Sequence, residues 1–379
     1  MNRFKRLVVL DPILLLDEQW KKLRSFASEV VEFAGLNPTE ILTKIYKEME
    51  EDPKPMCWTQ LAQEHVTIEE LNKRIQGADA IITCWTNIPN EIILQNPHLR
   101  YIGFWTNLAN HRVNYKLAKD RNIFVSMIPD YGTDSVAELT FSGILAVSRK
   151  LLLSHRNTLR GKWPYELLKT GQYVPKVNDI PQRILRDKLI GIIGLGRIGQ
   201  RVAEIAQAFR MQVKYWSRKK HPKWDSIGLE FLNLEEIFRV CDIISIHLSP
   251  YAPEKIINSD LIKSLKDGAI FVNTSAGSLV DQEILFQELL TGRIFAFLDV
   301  YTGLPPRKII KNINTLENLF TYRSGWYTQE AITYKGEYLI NNIKNFLTGA
   351  SPKAIWDLPI NNNNEDITEN QCINKVIGV

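Results

Sequence analysis

The residues best placed to do chemistry lie between Leu189 and Gln200. An apolar run, Leu189 to Ile193, enters Gly194-x-Gly196-x-x-Gly199, and a helical stretch begins at once. The spacing suits a pyrophosphate. The first glycine permits a tight turn out of a buried strand, and the second lets backbone approach the anion with no Cβ between. The third lets the new helix pack close to the strand. N–H groups at the helix start, around Arg197, Ile198 and Gly199, then face the negative charge, and the helix dipole adds to the attraction. Val202, Ile205, Ala206 and Phe209 repeat at helical spacing over Arg201 to Phe209, and a second strand, Val213 to Trp216, follows where a βαβ unit requires one. The predicted ligand is a dinucleotide.

Its ribose sits at the end of the second strand, where Asp or Glu suits the hydroxyls of NAD. This chain has Ser217 there, followed by Arg218, Lys219 and Lys220. A small hydroxyl beside a guanidinium suits a 2′-phosphate, so NADP(H) is favoured over NAD(H); the competing reading is a solvated basic loop. No metal site is predicted. Cys57, Cys84, Cys241 and Cys372 are far apart and form no pair with metal or redox spacing, which favours a reducing compartment and a cytoplasmic protein.

The elements that must position these residues alternate along the chain. Leu7 to Leu10 reads as a first strand, although Arg3, Lys5 and Arg6 before an apolar run superficially resemble a signal peptide; Asp11 and Pro12 interrupt that run. Lys21 to Gly35 reads as helix then strand, and Asn37 to Glu51 as a charged helix. Helix Ile68–Ile75, strand Ala78–Cys84, strand Tyr101–Phe104, helix Tyr115–Asp120 and strand Ile123–Ser126 follow. Asp134 to Leu153 reads as one long helix with Thr133 or Asp134 as N-cap. Beyond the glycine turn come strands at Asp242–Leu248, Ala269–Asn273 and Phe295–Val300. Helices are expected at Ser259–Leu265, at Asp281–Thr291 closed by Gly292, and at Glu330–Leu347. Asn361 to Val379 is a polar tail, disordered or loosely docked.

The chain's 379 residues suggest two domains, and 45% hydrophobic with 23% charged residues is ordinary for a globular protein. A net charge of +5, spread rather than striped, gives no footprint for nucleic acid. No apolar run approaches the ~20 residues of a membrane span.

This order of elements, with these words, resembles the D-isomer-specific 2-hydroxyacid dehydrogenases, in particular their glycerate dehydrogenase and glyoxylate/hydroxypyruvate reductase branch. The likeness covers roughly Pro97 to Leu347. It is carried by Leu99 to Gly103, Tyr131 to Glu138, Ile190 to Arg201, Asp242 to Leu248, Asn273 to Asp281, Leu298-Asp299-Val300 and Gly325-Trp326 with Thr328, Glu330 and Ala331. The resemblance implies an α/β fold of two Rossmann-like, doubly wound parallel-sheet domains with a cleft between them. One is a discontinuous flavodoxin-like substrate domain, 1–130 and 325–350. The other is the dinucleotide-binding domain, 131–324, followed by the tail at 351–379. It implies a homodimer paired through the cofactor domain and its long helix. It also places Leu248, Ser275 and Asp299 beside the cofactor, and a histidine such as His247 in a structural role.

The same resemblance exposes three losses. The family's substrate-binding arginine lies in Asn-x-x-Arg-Gly; this chain reads Asn273-Thr274-Ser275-Ala276-Gly277. Its glutamate falls on Leu304, within Asp299 to Pro305, and its histidine on Arg323, two residues before Gly325-Trp326. All three are replaced while their surroundings persist. Reduction of a 2-oxo acid needs a proton donor at the carbonyl oxygen, worth about 10²–10⁴-fold, and Arg323 stays protonated and cannot be one. It either binds an anion or pairs with a carboxylate. The loop Trp105 to Arg112 is also one residue longer, with Ala109 at the position of a family glycine. Arg323, Trp326, Tyr327, Asn107 and His111 are the candidate substrate-binding residues, and Tyr322 joins Tyr327 as a phenol beside Arg323.

Two functions compete. One is an NAD(P)(H)-dependent oxidoreductase with a rebuilt site for a small, anionic, non-standard substrate such as an imine or an enoyl or dehydro-amino compound. The alternative is a catalytically silent cofactor-binding regulator or partner subunit. An ordinary glyoxylate or hydroxypyruvate reductase is disfavoured by the losses.

Overall fold

The computed structural model describes residues 3–33, 67–84, 86–107, 112–161, 165–167, 169–175, 182–220, 222–250, 252–301, 318–321, 325–350 and 352. The predicted helix Asn37–Glu51 and the polar tail lie outside them. One compact unit runs to Tyr131 and resumes at Ile332; the other spans Gly132–Ala331.

In the first unit, β1 (Phe4–Val9), α1 (Asp17–Ser25), β2 (Ala27–Glu32), α2 (Ile68–Ile75), β3 (Ala80–Thr83), α3 (Asn90–Gln95), β4 (Tyr101–Phe104), α4 (Tyr115–Asp120) and β5 (Phe124–Met127) follow one another. The sheet is parallel throughout, in the order β2-β1-β3-β4-β5. That is the flavodoxin-like winding, whose order reverses between β1 and β3. β3 and β4 are buried at every position, as strands covered on both faces must be. Of the predicted elements described here, Ile68–Ile75, Tyr101–Phe104 and Tyr115–Asp120 have the expected ends and the others shifted ones, and α3 is an addition.

In the second unit, α5 (Thr133–Ser148) and α6 (Leu151–Leu159) precede a short hairpin, β6 (Tyr165–Leu167) and β7 (Tyr173–Pro175). Then come β8 (Leu189–Ile193), α7 (Arg197–Ala208), β9 (Gln212–Trp216), α8 (Pro222–Asp225), β10 (Glu230–Phe231), α9 (Leu234–Val240), β11 (Ile243–Ile246), α10 (Ser259–Lys263), β12 (Ile270–Asn273), α11 (Gln282–Leu290), β13 (Phe295–Leu298) and β14 (Leu319–Thr321). Seven parallel strands run β10-β9-β8-β11-β12-β13-β14. This is the doubly wound dinucleotide-binding order, reversing beside β8. A final helix, α12 (Gln329–Thr348), carries the chain back to the first unit, where Phe346 packs against Phe4 and Tyr101 with ring centroids 5.9 and 5.2 Å apart.

The single helix predicted over Asp134–Leu153 is two. Lys150 takes a left-handed φ of +51°, which ends α5 and lays its ammonium 3.4 Å from the centroid of the Phe295 ring. The N-cap is Gly132, with no side-chain cap; the Asp134 carboxylate instead accepts from Arg201 Nε at 2.8 Å. Phe209, placed on the buried face of the next helix, stands just past its end, 39% exposed, and stacks on Phe141.

Candidate dinucleotide site and a buried charge cluster

β8 delivers the chain to Gly194 at φ +100°, where a Cβ would lie 2.5 Å from the His247 carbonyl oxygen. Gly194 N–H donates to Trp216 O at 2.8 Å and His247 N–H to Ile193 O at 2.7 Å, so both neighbouring strands clamp the turn. At Gly199 a Cβ would fall 2.1 Å from Gly194 O, which fixes how closely α7 approaches the strand. Gly196 differs: a Cβ there would meet nothing within 4 Å. It caps α7 without a side chain, so no side chain of the cap covers the start of the helix. The residues fit a dinucleotide pyrophosphate: packing sets the first and third glycines, and the second leaves the room that the approach of such a ligand would need.

Ser217, Arg218 and Lys219 follow β9. The Ser217 hydroxyl donates to Lys219 O, folding the loop on itself, and Arg218 and Lys219 are exposed. Asp225 accepts from Tyr215 OH at 2.7 Å and pairs with Lys220 at 3.1 Å. At the end of β11, His247 shares a 2.8 Å hydrogen bond with Ser245 Oγ, and desolvation pulls its imidazole down to about 3. It is neutral at physiological pH and braces the turn through its backbone. Ser275 Oγ donates to Leu248 O, joining two of the predicted cofactor residues. Asp299, 7% exposed, accepts from Gly325 N–H at 3.1 Å.

Ala276 closes a well-formed turn. Asn273 Oδ1 accepts from Ser275 N–H at 3.0 Å and its Nδ2 donates to Ala276 O at 2.9 Å. The turn is intact, and a methyl group stands at the position where the resemblance places an arginine. Trp326 and Tyr327 lie in the second unit with ring centroids 5.5 Å apart, Tyr327 half exposed. Asn107 is exposed after β4 in the first unit. Leu304, Tyr322, Arg323 and His111 lie outside the described residues.

Sequence reasoning did not single out a charged cluster in the first unit. Lys335, on α12, is 1% exposed. Its Nζ lies 3.2 Å from the centroid of the Trp105 ring and 4.1 Å from that of Tyr131. Burial pulls it down to about 7. Arg112 is 4% exposed. Both cations act on the Cys84 thiol, which burial nevertheless pushes up to about 12. The signal was there to read: Lys335 sits on the apolar stripe Ala331, Leu339, Ile343, Leu347, one helical turn from each neighbour.

A parallel sheet with a Gly-x-Gly-x-x-Gly turn on its central strand, joined to a flavodoxin-like unit made from both parts of the chain, defines a two-unit dinucleotide-binding α/β protein. The chain belongs to the D-isomer-specific 2-hydroxyacid dehydrogenase family. Residues 141–321 match the family's NAD binding domain. A hydroxypyruvate reductase of Blautia hydrogenotrophica is 31% identical over 295 residues, covering 76% of this chain and 88% of that protein. One from Thermotoga maritima is 31% identical over 289 residues, covering 75% and 90%. Among solved structures, the acyclic imino acid reductase Bsp5, in complex with NADPH and D-Arg, superposes with a TM-score of 0.68 at 28% identity over 92% of this chain and 99% of that one. Among the described residues no helix is long and apolar enough to cross a membrane, and no cluster suits a metal ion.

Proposed function

We propose that this protein is an NADP(H)-dependent reductase of a carbon–nitrogen double bond in a small carboxylate, a 2-imino acid or its N-substituted form. The observation that carries this reading is Ala276, a methyl group on an intact turn where the family's oxo-acid chemistry needs an arginine. Leu304 and Arg323 at the other two family positions point the same way. A carbonyl oxygen is so weakly basic that it needs a positioned acid as hydride arrives. An imine nitrogen is basic enough to carry its own proton near neutrality, so the iminium carbon accepts hydride without one. The neutral amine then takes a proton from water. The bound reduced nicotinamide supplies the hydride. Bsp5, which holds NADPH and D-Arg, supports the substrate class.

Gly194, Gly196, Arg197, Ile198 and Gly199 hold the pyrophosphate in this reading, and Ser217, Arg218 and Lys219 receive the 2′-phosphate. Homodimer formation is supported by α6, which buries none of its residues and leaves Leu151, Leu152 and Leu159 exposed.

The test uses 4-deuterated NADPH with a 2-oxo acid, with and without methylamine. Deuterium at Cα of the amine product, and little turnover without the amine, is the expected result. Rapid NADPH oxidation by glyoxylate or hydroxypyruvate alone would sink the reading. Cofactor binding with no label transfer to any C=N compound would favour a silent regulator.

A further inference from the structure

At the amino ends of β3 and β4, the opposite end of the first sheet from the lysine cluster, lies an open cavity of about 660 Å³. Its walls are α2, the end of α3 and the turns that lead into the two strands. Small-ligand sites span roughly 300–1,000 Å³. The turns are pinned. Ala78 N–H donates to Ile75 O at 2.8 Å and Leu99 N–H to Asn96 O at 3.1 Å, and Arg100 joins the strands through its N–H to Asp79 O (2.9 Å) and its guanidinium to the Asp79 carboxylate (2.8 Å). An amide relay ties the helices: Asn72 Nδ2 donates to Gln95 Oε1 at 2.6 Å, and Asn96 Nδ2 to Asn72 Oδ1 at 2.9 Å. Among the described residues this leaves the Gln95 NH₂, the Asn96 side-chain oxygen and the whole Gln76 amide for other hydrogen bonds. Helix α2 also carries two acid–base pairs in successive register. Glu70 and Arg74 close at 2.8 Å. Glu69 and Lys73 have the same spacing and the same favoured order, yet among the described residues they make no ion pair, and Lys73 acts at a distance on Glu70. The open pair is the one that lines the cavity.

We propose that this cavity binds a free, polar α-amino acid as its zwitterion, with Lys73 and the Gln95 amide receiving the carboxylate and Glu69 the ammonium group. One ammonium and one carboxylate a helical turn apart match a ligand that carries both charges; a net anion or an uncharged polyol uses only half of them. No ion pair has to break for the ligand to enter, because Glu69 and Lys73 exchange water for it. The Gln76 and Asn96 amides supply donors and an acceptor for a polar side chain. The pinned turns and the amide relay hold these groups in place beforehand, which lowers the ordering cost of binding. The site lies wholly within the first unit and uses neither the dinucleotide nor the reaction proposed above.

L-Glutamine, titrated by calorimetry into the full-length protein, tests the site. Glutaminamide lacks its negative charge and N-acetylglutamine its positive one. The expected result is saturable binding of glutamine with a Kd on the order of 1 mM, and binding of each analogue weaker by about fivefold or more. Glutamine should also slow hydrogen exchange in residues 69–77 and 95–98. Glu69→Gln and Lys73→Met, both at exposed positions, should each weaken glutamine by about fivefold or more and leave the thermal midpoint unchanged. Absence of saturable heat up to about 20 mM glutamine would overturn the site. So would N-acetylglutamine or glutaminamide binding as tightly as glutamine, wild-type affinity in both variants, or protection confined to the second unit.

Discussion

The two parallel sheets use the same place, the carboxyl ends at the point where strand order reverses, in opposite ways. In the second unit the place is emptied of side chains: Gly194, Gly196 and Gly199 leave bare backbone at the turn, and His247 beside them is held neutral. In the first unit it is filled with charge, with Lys335, Arg112 and Asp11 all under 10% exposed. Topology selects the location and side chains select the ligand. A backbone cradle carries no group that titrates in the working range, whereas a buried lysine ties the stability of its unit to pH.

The largest blow to the first half of that contrast is Gly199→Ala. Its Cβ would sit 2.1 Å from Gly194 O, so α7 must shift, and NADP(H) affinity should drop by about 100-fold or more, some 3 kcal/mol, measured by calorimetry. The second half is tested by Lys335→Met. Lys335 falls from 10.5 unfolded to about 7 folded. The unfolded chain thus binds more protons between those values, and wild-type stability gains up to about 1.4 kcal/mol per pH unit as pH rises across that window. The variant should lose this gain and exceed the wild type in stability below pH 7, as read by urea melts at pH 6 and pH 9. Asp11→Ala strips four buried donors, on Thr83, Cys84 and Thr86, of their acceptor and should cost roughly 3 kcal/mol in the same melts. Ser217→Asp should weaken NADP(H) about tenfold, near 1.4 kcal/mol, and improve NAD(H). On the proposed function, Ala276→Arg should change turnover of glyoxylate by less than about tenfold, because neither Leu304 nor Arg323 would supply the acid; a large gain would show that the arginine alone had been missing.

The glycine turn and most strands were legible because parallel, fully covered strands leave dense apolar runs and the turn demands a fixed spacing. Helices Ile68–Ile75 and Tyr115–Asp120 and strand Tyr101–Phe104 even have the predicted ends. The break at Lys150 was not legible, since the apolar pattern continues through Leu151 to Leu153 and the left-handed residue is a lysine whose partner, Phe295, is far along the chain. The charge cluster escaped for the same reason. Lys335 looks like any lysine on an amphipathic helix until Trp105 and Tyr131, more than 200 residues away, close over it.

Gln19 links the two ends of the first unit. Its Nε2 donates to Thr333 O at 3.1 Å while its Oε1 accepts from Leu16 N–H at 3.0 Å, and it occupies the space that a Cβ on Gly336 would need. Contacts across 314 residues form late, because the loop they close is long. Gly132–Ala331 is continuous and has its own sheets and core, so on the ribosome it can mature before α12 has emerged. Synthesis therefore brings out the five strands of the first sheet before Gly132–Ala331, but leaves that sheet without the helix that carries Lys335 until the nucleotide-holding half is complete. Pulsed hydrogen exchange during refolding should protect β8 and α7 ahead of β1 and α12; simultaneous protection would refute that sequence of events.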